Sequence, residues 1–145
     1  MIGLIQRVTE ARVEVDNRIV AQIDRGILAL IGVEKQDTSA TARRLAQRII
    51  QYRIFPDADG KMNLSLHDIG GELLLVPQFT LPADTRKGNR PSFSSAAPPE
   101  TGQHLFLELA DYARESHIVV QTGVFGANMQ VSLTNDGPVT FWLQV

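Results

Sequence analysis

The eight residues 26–33, GILALIGV, constrain the fold of this chain more than any other segment. The run contains no polar side chain, and its length suits a strand better than a helix. A strand that is apolar on both faces is typical of a buried position in a sheet. The segment therefore predicts a sheet with this strand at its centre.

The rest of the chain predicts the elements around that strand. Apolar or alternating patterns predict further strands at residues 2–8, 11–15, 19–23, 72–81, 118–122, 129–133 and 139–145. Apolar residues at helical spacing predict two helices, at 38–52 and 100–116. With 145 residues and no repeat or linker, we expect one α+β domain over residues 1–145 with mainly antiparallel strand pairing.

The composition narrows the possible chemistry. The chain has no cysteine, which excludes disulfides and thiolate catalysis and fits a cytoplasmic location. His104 and Glu108 lie four residues apart on the second predicted helix, but no third metal ligand follows, so we expect no metal site. No apolar run reaches membrane-spanning length, and the first residues lack the pattern of a signal peptide, so we expect no membrane partner.

The net charge of −2 bears on nucleic-acid partners, because a protein that grips many phosphates is usually basic. Two interpretations stay open: no nucleic-acid partner, or contact through a small basic patch. Arg86, Lys87 and Arg90 form such a patch in a predicted loop at residues 82–99. A solvated loop is the simpler interpretation of these charges.

The first motif is Pro77-Gln78-Phe79-Thr80, where an apolar strand ends in polar residues. The simplest interpretation is a strand leaving the core, with Pro77 marking its end or an edge. Thr80 is a candidate nucleophile, but no partner base is identifiable from the sequence. Gln78 and the backbone N–H groups of Phe79 and Thr80 are candidates for stabilising a developing oxyanion.

The second motif is the segment 135–140, Asn-Asp-Gly-Pro-Val-Thr, between two predicted strands. A tight turn is the simplest interpretation. Gly137 also leaves room for a ligand or a partner to approach the backbone, and the bond that precedes Pro138 is of the kind that can be cis. The sequence therefore leaves a turn and a ligand-binding segment open.

With both motifs in view, the whole chain resembles the D-aminoacyl-tRNA deacylase family, also called D-Tyr-tRNA deacylases. The resemblance includes Gln78-Phe79-Thr80-Leu81 and the closing segment 135–145. It also extends over residues 1–9, 32–35, 52–55, 60–63, 83–85, 90–93, 121–123 and 129–133. This ordered set, rather than any single motif, makes the resemblance specific.

The resemblance implies a barrel-like fold and a homodimer with active sites at the subunit interface. It implies a cofactor-free hydrolase that cleaves the ester between a D-amino acid and the terminal adenosine of tRNA, as chiral proofreading. Mischarged glycyl-tRNA is an expected second substrate. Gly137 and Pro138, joined by a cis bond in the family, are expected to reach into the partner's site, hold the substrate amino group and reject L side chains.

The resemblance also implies roles for single residues. Phe79 N–H is expected in the oxyanion site, ordered by Gln78, while Thr80 has a positioning role and the ribose 2′-hydroxyl assists the attack of water. An adenine pocket is expected at Phe125 and Met129. The expected tRNA contacts are Arg7, Arg86, Lys87 and Arg90.

One departure from the family pattern, Pro77 in place of serine, leaves alternatives open. Pro77 resembles a related branch of deacylases that tolerates some L-aminoacyl substrates, so a relaxed deacylase is one alternative. A non-catalytic dimer that binds RNA ends is another, because no nucleophile–base pair is visible in the sequence. Release of amino acid from charged tRNA separates the two.

Overall fold

The computed structural model describes residues 1–145 and contains eight strands and two helices. The elements are β1 (Ile2–Val15), β2 (Arg18–Ile23), β3 (Gly26–Gly32), α1 (Ser39–Gln51), β4 (Phe55–Pro56), β5 (Met62–Leu64), β6 (Glu72–Pro77), α2 (Pro99–Arg114), β7 (Val120–Thr122) and β8 (Gln130–Gln144). Both predicted helices and the central strand β3 are confirmed, β3 lying between β1 and β6.

The main sheet has the order β2-β1-β3-β6-β7, with β8 also paired to β1. Strand β1 pairs antiparallel with β2, β3 and β8, whereas β3–β6 and β6–β7 are parallel. The sheet is therefore mixed, which corrects the expectation of mainly antiparallel pairing. The parallel pairs arise because α1 and α2 lie in crossover connections, which return the chain to the end of the sheet where the preceding strand began.

The sheet curls and is covered on one face by the helices. Strand β2 lies near β6 and β7, which gives a nearly closed, barrel-like form. A cluster of 23 buried residues fills the space between the sheet and the helices. The stripe predicted for α1 is buried there, namely Ala42, Leu45, Ala46, Ile49 and Ile50. A second cluster of eight residues fills the inside of the curl. No helix is both long enough and apolar enough to cross a membrane.

Strand β8 corrects the sequence interpretation most clearly. The segments 129–133 and 139–145 were expected to be two strands, with either a tight turn or a ligand-binding segment between them, but both belong to one strand paired with β1. The register passes from Gln6↔Thr140 to Val8↔Asn135, so a two-residue step on β1 faces a five-residue step on β8. Residues 136–139 have no partner on β1 and form a large β-bulge, and the strand pairs with β1 again on either side of it.

Candidate functional site

A cleft of about 460 Å³ opens where β6 leaves the sheet. Its walls come from the end of β6, the start of α2 and the segment 125–131, and most of the lining side chains are apolar. The cleft brings together five of the predicted site residues: Pro77, Gln78, Phe79, Phe125 and Met129. An apolar cleft with few polar groups is the usual form of a small-ligand site.

The backbone of the first motif presents unused donors at this cleft. Gln78 N–H donates to the carbonyl of Ile31 at 2.7 Å and so completes the pairing of β6 with β3. The N–H groups of Phe79 and Thr80 then donate to no group of the protein, and the Phe79 side chain is 64% exposed. Phe79 lines the cleft and Thr80 does not, and a free donor in a cleft wall suits the binding of a developing negative charge.

The side chains of Gln78 and Thr80 hold each other. Gln78 Nε2 donates to Thr80 Oγ1 at 2.6 Å. A primary amide cannot accept the hydroxyl proton through this nitrogen, so the contact does not activate Thr80 as a nucleophile. No group of three or more side chains able to hold a metal ion occurs in the structure.

Two glycines make room for the aromatic and thioether walls of the cleft. A Cβ on Gly123 would lie 2.8 Å from Met129 Sδ and 3.4 Å from Pro77 Cδ. A Cβ on Gly102, in α2, would lie 3.4 Å from the ring of Phe125. Neither glycine was expected at the site, although Gly123 belongs to segment 121–123 of the family resemblance, because no turn or local pattern marks its contact with the cleft wall.

Gly137 and Pro138 are exposed and do not line the cleft of their own chain. The bond between them is cis, and Gly137 has φ of 145°. The bulge is held from within, since Val139 N–H donates to Asn135 Oδ1 at 2.6 Å. Within one chain, therefore, the structure keeps the two motifs apart.

The Arg7 side chain binds the bulge through Asp136. Its Nε donates to the carbonyl of Asp136 at 2.9 Å, and its Nη1 donates to the carbonyl of Ile54 at 2.7 Å. Its Nε also lies 3.4 Å from Asp136 Oδ2, and the side chain is only 12% exposed. The Arg7 guanidinium is thus engaged with the protein itself.

The other basic residues lie on an ordered loop. Asp84 and Ser92 exchange two backbone hydrogen bonds, of 2.8 and 3.0 Å, which place residues 85–91 at the tip. Arg86 Nε and Nη2 donate hydrogen bonds to the two oxygens of the Asp84 carboxylate, at 2.9 and 2.7 Å. These side-chain hydrogen bonds, with one from the Arg86 backbone, hold the pKa of Asp84 well below its usual range. Lys87 and Arg90 have no acidic partner.

Comparisons with known proteins place this site in a family. The family model described as D-Tyr-tRNA(Tyr) deacylase matches residues 4–144. A D-aminoacyl-tRNA deacylase of Alkalilimnicola ehrlichii is 63% identical over 99% of this chain and 96% of the relative. A D-aminoacyl-tRNA deacylase of Francisella tularensis is 59% identical over the full length of both chains.

Solved structures agree in fold. A structure named c-Myc DNA Unwinding Element Binding Protein is 36% identical, with a TM-score of 0.94, and covers 100% of this chain and 99% of its own. A structure described as a probable eukaryotic D-amino acid tRNA deacylase is 17% identical, with a TM-score of 0.86, and covers 99% and 98%. At that identity the second likeness concerns the fold alone.

Fold and cleft together define a barrel-like α+β protein with an apolar cleft at the end of a parallel strand. The matches over nearly the whole chain narrow this class further. The chain belongs to the D-Tyr-tRNA(Tyr) deacylase family, whose curated relatives are D-aminoacyl-tRNA deacylases.

Proposed function

We propose that the protein hydrolyses the ester that joins a D-amino acid, or glycine, to the terminal adenosine of tRNA, and so removes mischarged amino acids. The observation that carries this proposal is the unused N–H donor of Phe79, a residue that lines an apolar cleft. Family membership supports the ester of D-aminoacyl-tRNA as the substrate.

In this mechanism a water oxygen attacks the ester carbonyl, assisted by the ribose 2′-hydroxyl. The carbonyl oxygen becomes an oxyanion and accepts a hydrogen bond from Phe79 N–H. The intermediate then collapses, the bond to the ribose oxygen breaks, and that oxygen takes the proton that the attacking water has lost, which leaves a free amino acid and a ribose hydroxyl. Gln78 orders the turn through Thr80, which has a positioning role; the 2.6 Å contact between their side chains supports this assignment. The protein supplies no metal or cofactor in this scheme.

The adenine of the substrate is proposed to lie between Phe125 and Met129. Both side chains line the cleft, and both are half-buried, so they offer apolar surface while remaining accessible. Aromatic side chains stack well on bases. The ester would then lie near Phe79, which lines the same cleft.

A second copy of the chain is proposed to complete each site, with Gly137 and Pro138 of the partner subunit entering the cleft. Their carbonyls would accept hydrogen bonds from the substrate amino group, and their backbone would leave no space for an L side chain. The exposure of this segment, away from its own cleft, supports the assignment. Trp142, 51% exposed opposite Leu4 on β1, offers apolar surface for the dimer.

The basic residues are proposed to divide between two roles. Lys87 and Arg90 lie on an exposed loop and are assigned to phosphates of the tRNA acceptor end, whereas Arg86, expected there too, is paired with Asp84 and is assigned to holding the loop. Arg7 is almost buried and bound to Asp136, which favours a positioning role for it beneath the bulge over a tRNA contact.

Pro77 motivates a second candidate, a deacylase with relaxed selectivity. Pro77 lines the cleft and brings neither a hydroxyl nor an N–H donor to it, where serine would bring both. Fewer polar contacts in the pocket would weaken the discrimination between D and L substrates. A Pro77→Ser variant with an unchanged substrate preference would count against this candidate.

The test is single-turnover release of amino acid from D-Tyr-tRNA, L-Tyr-tRNA and Gly-tRNA in the presence of a chelator. We expect release from the D and glycyl forms and not from the L form. Gln78→Ala should slow release roughly 10- to 100-fold by misplacing the turn, whereas Gln103→Ala, an exposed glutamine on α2, should not.

Other outcomes are equally informative. Comparable release from the D and L forms would favour the relaxed deacylase. Binding of tRNA with no release from any form would favour a non-catalytic protein that binds RNA ends, and would overturn the proposed reaction.

A further inference from the structure

Phe79 and Phe93 form an exposed aromatic pair beside the cleft. Their ring centroids are 5.4 Å apart, with the planes tilted by 47°. Phe79 is 64% exposed and Phe93 is 43% exposed, although large aromatic side chains normally bury most of their surface. Phe79 belongs to the cleft wall, whereas Phe93 lies outside the cleft lining. The pair thus extends the apolar surface of the cleft outward.

The loop that carries Phe93 is held firmly at its base. The carbonyl of Phe93 accepts the N–H of Ala96 at 3.1 Å, and Lys35 N–H donates to the carbonyl of Ser95 at 3.1 Å. The neighbouring residue, Ser92, is paired with Asp84 through two backbone hydrogen bonds. The backbone that carries Phe93 is therefore held by the protein itself.

The tip of the same loop carries free positive charge. Arg86 is neutralised by the Asp84 carboxylate, to which it donates two side-chain hydrogen bonds. Lys87 and Arg90 are exposed and have no acidic partner. Lys87 is three positions after Asp84, and Arg90 is two positions before Ser92, its paired residue. The backbone of both basic residues therefore lies within about 10 Å of this pair.

We propose that Phe93, with Phe79, is a stacking platform for the unpaired nucleotides that precede the terminal adenosine of tRNA, and that Lys87 and Arg90 bind their phosphates. Aromatic faces for bases beside cations for phosphates are the combination that single-stranded nucleic acid requires. The inference rests on the proposed function, which puts the terminal adenosine in the adjoining cleft. The second copy of the chain is proposed to enter the cleft itself, whereas Phe93 lies outside the cleft lining. At Phe93 a second copy fits less well than a nucleic acid, because interface cores are depleted of lysine.

The test compares two substrates, D-Tyr-tRNA and the D-tyrosyl ester of adenosine alone, which lacks the preceding nucleotides. For Phe93→Ala, we expect the ratio of kcat/KM between tRNA and the adenosine ester to fall roughly 5- to 100-fold, the range for losing one base–aromatic stack. Phe93→Trp should keep the ratio, because it preserves a stacking surface. An unchanged ratio in Phe93→Ala, or an equal loss on both substrates, would overturn the platform.

The proposed phosphate contacts of Lys87 and Arg90 are tested by a separate measurement. We measure the binding constant K of uncharged tRNA at several salt concentrations. In the double variant Lys87→Ala/Arg90→Ala, the slope of log K against log salt should become less negative by roughly 1.4. Lys61→Ala, an exposed lysine in the β4–β5 turn, is the matched control and should leave the slope unchanged. An equal slope in the double variant and the control would contradict the phosphate contacts.

Two further outcomes separate this proposal from its alternatives. Sedimentation of Phe93→Ala should show the same oligomeric state as the unaltered chain; dissociation would assign Phe93 to a self-interface instead. If the unaltered chain releases no amino acid from either substrate, the proposed function fails. In that case, weaker binding of uncharged tRNA by Phe93→Ala would still support the platform, and equal binding would overturn it.

Discussion

Arg7 is the residue whose contacts link the bulge most directly to the rest of the molecule. One guanidinium spans the carbonyls of Asp136 and Ile54, which belong to segments far apart in the chain. A planar guanidinium offers several donors in fixed directions, so it can hold two backbone segments at once. The position of the bulge therefore depends on a side chain that lies outside both motifs.

The first prediction concerns this contact. Arg7→Ala should leave the carbonyls of Asp136 and Ile54 without their donors and lower the free energy of unfolding by about 1–3 kcal/mol. Release from D-Tyr-tRNA should slow by roughly 10-fold or more, since the bulge is no longer held in place. Urea denaturation and single-turnover kinetics measure the two effects.

Arg12→Ala is the matched control, because Arg12 lies on the same strand but is half-exposed and pairs only with Glu14. It should change the free energy of unfolding by less than about 1 kcal/mol, as expected for a surface ion pair. Arg7→Lys should remain slow, because an ammonium is a single point charge without the guanidinium fork. Normal turnover in Arg7→Ala would show that the bulge keeps its position without this clamp.

At the residue scale, the sequence predicted which side chains line the cleft better than it predicted what holds them. Gln78, Phe79, Phe125 and Met129 were expected at the site, and all four lie in the lining. The contact between Arg7 and Asp136 joins positions 129 residues apart, and no local pattern marks it. Long-range hydrogen bonds of this kind depend on the register between strands, which spacing along the chain does not reveal.

The parallel pairing of β3 with β6 depends on one close approach. Gly26 lies opposite Glu72, and a Cβ on Gly26 would sit 1.8 Å from the carbonyl oxygen of Glu72. Backbone cannot move aside as a flexible side chain can. Gly26 is therefore required by the contact between the two strands rather than by a turn.

The second prediction follows from this approach. Gly26→Ala should force β3 and β6 apart and lower the free energy of unfolding by about 3 kcal/mol or more, at the severe end of overpacking. Gly3→Ala is the control in the neighbouring strand β1. Its Cβ would meet only the ends of Leu45 and Ile49, at 3.4 and 3.6 Å, and should cost less than about 1 kcal/mol. Equal midpoints for both variants in urea would show that β3 and β6 accommodate a side chain at position 26.

At the element scale, local patterns predicted the two helices and the buried strand β3 because each has a period or length of its own. They did not predict that β6 would lie parallel to β3, since strand order depends on crossovers rather than on local composition. They also divided β8 into two strands. The bulge residues Asn135 to Pro138 have the composition of a turn, and only the pairing on both sides with β1 shows that the chain does not reverse.

For the whole molecule, the separation of the two motifs allows complementation between chains. If each site combines the cleft of one chain with the bulge of the other, two inactive chains can restore one working site between them. A chain with Gln78→Ala is defective in the cleft, and a chain with Pro138→Ala is defective in the bulge. A mixed dimer then contains one site with both parts intact.

The third prediction is that mixing the two variants under exchange conditions restores activity. The mixture should reach about a quarter of the activity of the unaltered chain, because half of randomly paired dimers are mixed and each has one intact site. Each variant alone should stay slow. Release of D-tyrosine from D-Tyr-tRNA before and after exchange is the measurement, and no recovery despite proven mixing would place both motifs in the same chain's site.

If the bulge in β8 selects the substrate as proposed, its attachment bears on how selectivity can evolve. Its flanks are tied to one neighbouring strand on either side, so we expect a change between them to leave the register of β1 and β8 intact beyond it. Gly137 and Pro138 are the exposed residues of this segment, whereas Asp136 is bound by Arg7 and Val139 is buried in the core. A lineage with such a site could alter which substrates it turns away by exchanging these two exposed residues, without redesigning its core.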